Sequence, residues 1–233
     1  RPRMTAWRTA SEAALARELE AFDYPRDVRL PRNADVEFVH ELFTPRQLVS
    51  LACLRHEIDE TRDPAARDLL RLAFSATLAK TNRTFISATG RKPSRGGASI
   101  FSLYRYNVPE RPVELDVWEQ FASRFDSLLQ AKRETNELIG RWYSDETFQA
   151  VTGSATRLTD LVEPETVDYI YTDPPYGAHI AYLDLSAMWN AWLGFPVTEA
   201  ARSEEVIEGG DVGHTKEQYT GLLEQSIQEM FAV

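Results

Sequence analysis

Cysteine is almost absent from this sequence. The single residue, Cys53, excludes an internal disulfide bond and any zinc site built from several cysteines. Such usage fits a reducing compartment, and we predict a cytoplasmic protein. Apolar runs of membrane-spanning length are also missing, as is the apolar core of a secretory signal. We therefore expect no membrane partner.

The remaining composition is that of a globular protein. The 233 residues are 43% hydrophobic and 27% charged, which suits one sizeable domain or a domain with an appendage. Because the sequence begins at Arg1 rather than Met, we expect either a fragment or a processed form of a longer protein.

Acidic residues are missing between Leu69 and Pro109, although the net charge is −10. Residues 1–110 hold 18 Lys and Arg against 14 Asp and Glu, whereas residues 111–233 hold 8 against 22. A local basic patch can bind a phosphate backbone whatever the total charge. The segment 87–97 is basic and glycine-rich, which indicates either an ordinary solvated loop or a DNA-binding arm. The candidate DNA-binding residues here are Arg83, Arg91, Lys92 and Arg95.

Helix signals divide the chain into two regions. Thr44-Pro45 and Asp63-Pro64 each predict a helix start, because the first residue caps the helix and proline suits its first turn. Helical spacing predicts further helices over 115–139 and 180–193, and Thr215 is a predicted cap for the last helix. Together with the charge balance, these signals predict a helical, basic region over 1–110 and a second, acidic region over 111–233.

The segment from Val167 to Thr172 predicts a buried strand, since it is rich in β-branched and aromatic residues. It leads directly into Asp173-Pro174-Pro175-Tyr176. Two consecutive prolines cannot continue a sheet, so we expect a rigid corner at its carboxyl edge, where open α/β sheets bind ligands. A second strand is predicted from Thr147 to Thr152.

This Asp-Pro-Pro-Tyr motif resembles the (D/N/S)-P-P-(Y/F/W) signature of the DNA amino-methyltransferases. The flanking segments 152–156 and 177–185 are similar to a large bacterial family of adenine-specific DNA methylases. The resemblance implies an α/β fold: a partial Rossmann-like class I S-adenosylmethionine-dependent methyltransferase, with an additional, largely helical N-terminal region. It also implies S-adenosylmethionine as cofactor, DNA as partner and adenine N6 as the methyl acceptor.

The resemblance also assigns roles to residues. Asp173 and Pro174 would accept the base amino group on the corner that Pro175 stiffens, and Tyr176 would stack on the flipped base. Further assignments place Gly153, Ser154 and Asp173 near the cofactor and His179 near the DNA; no metal is expected. Relatives often carry Asp at the position of Ser154.

A cofactor-binding turn of the Phe-x-Gly-x-Gly type is missing from the sequence. We therefore expect that turn in the remaining part of the methyltransferase, either in the same parent chain or in a partner subunit. Two alternatives stay open. One is a non-catalytic DNA-binding or regulatory module, and the other is a methyltransferase acting on RNA or on a protein amide.

Overall fold

The computed structural model describes residues 14–86, 97–98, 100–142, 144 and 147–233. Helices make up 54% of the structure and strands 2%. The predicted α/β Rossmann-like fold is therefore wrong. Strand pairing among the described residues is limited to a short antiparallel pair, β1 (Phe85–Ile86) with β2 (Gly97–Ala98).

The predicted strand from Val167 to Thr172 is also wrong. No described strand pairs with this segment, and its tyrosines are exposed to solvent, Tyr169 by 79% and Tyr171 by 87%. Strand propensity reflects packing and pairing on a pleated surface, so these residue types form no strand without a neighbour. The predicted strand from Thr147 to Thr152 is likewise irregular.

The helices begin where the sequence places their caps. Thr44 and Gln47 form a reciprocal capping box, Asp63 accepts hydrogen bonds from two first-turn N–H groups, and Thr215 repeats the box with Gln218. These three helix starts are confirmed. The helices are α1 (Pro45–Asp59), α2 (Pro64–Leu78), α3 (Ile100–Leu103), α4 (Val117–Ile139), α5 (Tyr182–Leu193), α6 (Glu199–Ser203) and α7 (Lys216–Ala232).

Shorter helical pieces complete the architecture. There are 3-10 segments at Val39–Leu42, Gly140–Trp142 and Ala155–Asp160, and residues 14–19 are helical. Among the residues that the structure describes, none of the helices combines the length and apolar character that crossing a membrane requires.

The chain forms two compact units. The first contains Arg1–Leu138 and Ala187–Phe195, and the second contains Ile139–Ser186 and Pro196–Val233. Helix α5 therefore contributes its first residues to the second unit and the rest to the first.

The first unit has an aromatic core around Trp192. The indole ring is fully buried and meets Phe43 and Phe74 edge-on, at centroid distances of 5.5 and 5.9 Å. Edge-to-face pairs of this kind stabilise the fold beyond the contribution from burying their apolar surface. Two polar contacts fix α5 in this unit: the Met188 N–H donates to the Tyr106 hydroxyl, and the Trp189 indole N–H donates to the Ser75 carbonyl, both at 3.0 Å.

The second unit is held mainly by polar contacts with α7. Thr159 donates to Glu229 through its N–H at 2.9 Å and its hydroxyl at 2.7 Å, and Gln225 donates to the Thr156 carbonyl at 3.0 Å. These bonds join α7 to the segment Ala155–Asp160. Few described residues of this unit are buried: Thr156, Asp184, Ile207, Ser226 and Val233.

Phe74→Ala tests the aromatic core. The substitution leaves a cavity beside Trp192, so we expect a loss of about 3–5 kcal/mol in the free energy of unfolding. Urea titration followed by tryptophan fluorescence measures it. The matched control is Leu72→Ala on the same helix, where the side chain is 54% exposed, and it should cost less than about 1 kcal/mol. Equal losses in the two variants would contradict the assignment of Phe74 to the core.

Candidate functional site

The Asp-Pro-Pro-Tyr corner lies in the second unit and is anchored through two backbone carbonyls. The Tyr219 hydroxyl donates to the Pro175 carbonyl at 2.9 Å, and the Glu208 N–H donates to the Gly177 carbonyl at 3.3 Å. Gly177 has φ of 59°, a left-handed conformation that glycine adopts without strain. The chain can therefore turn immediately after the corner.

The side chains of the motif before and between these anchors face solvent. Asp173 and Pro174 are exposed, and the Tyr176 ring is 69% exposed. No described group donates a hydrogen bond to the Pro174 carbonyl. The corner thus offers a carboxylate, a carbonyl and an aromatic face to a molecule in solution.

Asp173 already has one partner in this conformation, because the Tyr176 hydroxyl donates a short hydrogen bond to its carboxylate. That hydrogen bond, and then the charge of the carboxylate, raise the pKa of the Tyr176 hydroxyl. Tyr176 therefore stays a protonated donor. A ligand amino group that approaches Asp173 must replace this hydroxyl at one carboxylate oxygen or use the other.

Behind the corner, a buried carboxylate holds the loop that precedes α7. Asp184 is 9% exposed, accepts the Asp211 N–H at 2.8 Å and lies 3.6 Å from the Arg202 guanidinium. Gly210 packs closely against this carboxylate, since a Cβ at position 210 would lie 3.3 Å from an Asp184 carboxylate oxygen. The backbone φ angle of Gly210 is 62°. Asp184 therefore fixes the loop that precedes α7.

Burial raises the pKa of the Asp184 carboxyl, and the Asp211 N–H and the Arg202 charge oppose that rise. Burial also raises the pKa of the neighbouring Glu205 carboxyl, which accepts the Leu183 N–H at 2.8 Å. Two partly desolvated carboxylates thus lie near each other in the second unit.

Gly153 and Ser154, assigned to the cofactor by resemblance, are engaged within the chain. The Ser154 hydroxyl caps the segment Ala155–Asp160 by accepting the Thr156 N–H at 3.3 Å. A Cβ at Gly153 would collide with the Leu161 side chain. Gly153 is exposed and Ser154 is half-buried, and their assignment to S-adenosylmethionine stays a prediction.

The candidate DNA contacts lie in different parts of the chain. Arg83, in the first unit, is partly buried, and its guanidinium donates to the Glu41 carbonyl at 3.0 Å. His179 is exposed, and its backbone N–H donates to the Tyr176 carbonyl at 3.2 Å. The other three residues, Arg91, Lys92 and Arg95, lie outside the described residues.

Within the described part of the chain, no group of three or more His, Cys, Asp or Glu side chains could hold a metal ion. Two clefts formed by described residues, of about 500 and 30 Å³, are both lined by residues of the first unit. Comparison with protein-family models, with curated proteins and with solved structures finds no match for this chain.

Sequence reasoning missed Tyr219 and Glu208, which anchor the corner. Tyr219 lies in the first turn of α7, four residues after the Thr215 cap. Long side chains in a helix point back towards its N-terminus. The predicted cap therefore indicated where the Tyr219 ring would lie, but no pattern in the sequence indicated that the corner would meet it.

Asp184→Asn tests the buried carboxylate. A raised folded-state pKa means that the folded protein binds the proton more tightly, so stability should fall as pH rises from about 3.9 through the raised value. Asn keeps an acceptor for the Asp211 N–H and removes the charge, so the variant should lose that part of the pH dependence. Thermal melting scanned upward from about pH 4 measures the difference.

The control for this test is Asp168→Asn, which neutralises an exposed carboxylate. Its melting temperature should follow the wild-type pH dependence. If Asp184→Asn also keeps the full wild-type slope, desolvation of Asp184 does not contribute to the stability of this unit.

Proposed function

We propose that this chain supplies the base-accepting corner of an S-adenosylmethionine-dependent methyltransferase that acts on adenine N6 in DNA. The observation that carries the proposal is the exposure of Asp173 and Pro174 on a backbone anchored at Pro175 and Gly177. An exposed acceptor pair on a fixed backbone is the arrangement that binding a planar amine requires.

The chemistry follows from the electronic structure of the base. The lone pair of an exocyclic amine is delocalised into the ring, which makes the nitrogen a poor nucleophile. An Asp173 oxygen accepting one N–H bond and the Pro174 carbonyl accepting the other draw the nitrogen towards tetrahedral geometry. Preorganised acceptors of this kind act through positioning and electrostatics.

Tyr176 supports the base from the same corner. Its exposed ring offers a face on which a flipped base can stack, typically for about 1–3 kcal/mol. The tyrosine hydroxyl leaves Asp173 when the ring takes up that position. S-adenosylmethionine supplies the methyl group when bound, and Gly153 and Ser154 stay its predicted contacts.

Asp173→Ala in the full-length protein tests this function. Losing one preorganised acceptor should lower the rate of methyl transfer by about a hundred- to a thousandfold. Stability should change by no more than about 1 kcal/mol, because the exposed carboxylate contributes little packing. The assay is transfer of tritiated methyl groups to unmethylated DNA, with thermal melting to verify folding.

Asp168→Ala is the matched control, since it removes an exposed carboxylate five residues earlier in the same segment. It should methylate at the wild-type rate. If Asp173→Ala also does so, the corner is structural and the chain is better explained as a DNA-binding or regulatory module.

The basic segment carries a separate prediction about DNA. Changing Arg91, Lys92 and Arg95 together to Ala should weaken binding about equally for all DNA sequences, because phosphate contacts carry no sequence information. The log–log salt dependence should flatten by roughly two to three. Fluorescence anisotropy at several salt concentrations measures both. The control changes Lys132 and Arg133, which are exposed on α4, to Ala. If it weakens DNA binding as much, the effect comes from the net charge of the protein and not from contacts of the basic segment.

A further inference from the structure

Tyr219 makes a contact that the proposed chemistry does not yet use. Its hydroxyl donates to the Pro175 carbonyl at 2.9 Å, across 44 positions of sequence. Pro175 follows directly after Pro174, whose carbonyl has no described donor. The two proline carbonyls therefore differ: the second is bonded to the protein and the first is available to a ligand.

The helix that carries Tyr219 is itself firmly held. The capping box of Thr215 and Gln218 fixes its first turn, and its later turns bond to Thr156 and Thr159. Tyr219 is half-buried. A hydroxyl on such a support can hold a backbone carbonyl in one place.

The same helix also holds the other end of the segment that leads to the corner. The Val233 carbonyl accepts the Thr166 N–H at 2.7 Å and the Val167 N–H at 2.9 Å. Between Tyr219 and Val233 the helix rises about 21 Å. A fully extended chain from Val167 to Pro175 reaches at most about 29 Å, and a helical one covers only about 12 Å. The segment is therefore largely extended and has little slack.

We infer that Tyr219 is a positioning residue, which holds the Pro175 carbonyl so that the Pro174 carbonyl and Asp173 stay presented to the base amine. This inference rests on the proposed function. Without the Tyr219 hydroxyl the corner keeps its residues but loses its anchor on α7, and the two acceptors no longer share a fixed geometry.

Tyr219→Phe in the full-length protein is the test, because it removes the hydroxyl and keeps the ring. Misplacement of reacting groups by about 1 Å can cost about a hundredfold in rate, so we expect kcat to fall by about ten- to a hundredfold. The KM for DNA should change by less than about twofold, since a merely positioned acceptor contributes mainly in the transition state. Rates are measured well below the melting temperature of each variant.

A second measurement does not depend on activity. Chymotrypsin cleaves after exposed tyrosines, and Tyr169 and Tyr171 lie within the held segment. Loss of one hydrogen bond should release the segment and raise the cleavage rate there by about two- to tenfold. Tyr169→Phe, which removes an exposed hydroxyl and keeps a cleavable aromatic residue, is the control and should change neither kcat nor cleavage.

The outcomes separate this inference from the proposed function. A lower kcat with faster cleavage supports positioning by Tyr219. Unchanged kcat, or a lower kcat without faster cleavage, overturns it. If Asp173→Ala is inactive while Tyr219→Phe keeps the wild-type kcat, only the positioning role fails. If Asp173→Ala keeps full activity, or the wild-type protein transfers no methyl group, the proposed function fails and the positioning role fails with it.

Discussion

The second unit depends on how one segment of backbone, from Val167 to Pro175, is held without a neighbouring strand. Pro174 and Pro175 have no N–H to donate, and no described strand pairs with the residues before them. Bonds to α7 therefore hold the segment at its two ends, through the Val233 carbonyl and the Tyr219 hydroxyl. The contacts that hold α7 in place therefore also hold the corner. For this reason the Thr215 cap of α7 and the hydrogen bonds between α7 and Ala155–Asp160 matter for the site.

The two units obtain their stability in different ways. The first buries large apolar side chains around Trp192, and burial of that kind is the dominant favourable term in folding. The second buries few, and two of its interior acceptors, Asp184 and Glu205, are carboxylates with pKa values raised by burial. The folded state of such a unit is stabilised less by the burial of apolar surface and more by individual hydrogen bonds. Its stability consequently responds to pH in a way that an apolar core does not.

Local signals in the sequence predicted the helices well and the sheet badly. The caps at Thr44, Asp63 and Thr215 act on N–H groups two or three residues away, so the sequence contains everything that a helix start needs. A strand needs a partner from elsewhere in the chain. The residues from Val167 to Thr172 have the composition of a strand, but the described chain provides none beside them. The motif marked Asp173 to Tyr176 as a candidate site, whereas the anchors at Tyr219 and Glu208 arise from contacts distant in sequence.

Tyr176 shows how the corner can both protect and use its carboxylate. With the hydroxyl bonded to Asp173, the exposed acceptor is partly satisfied, and the ring is too exposed to contribute much packing. In the function proposed above, stacking on a base would require the ring to leave that position, and the freed carboxylate would then accept the base amine in place of the phenol. Because one hydrogen bond would replace another, this exchange would have a small net free energy. The bonds at Pro175 and Gly177 hold the backbone independently of the Tyr176 side chain, so the proposed exchange needs a movement of that side chain alone.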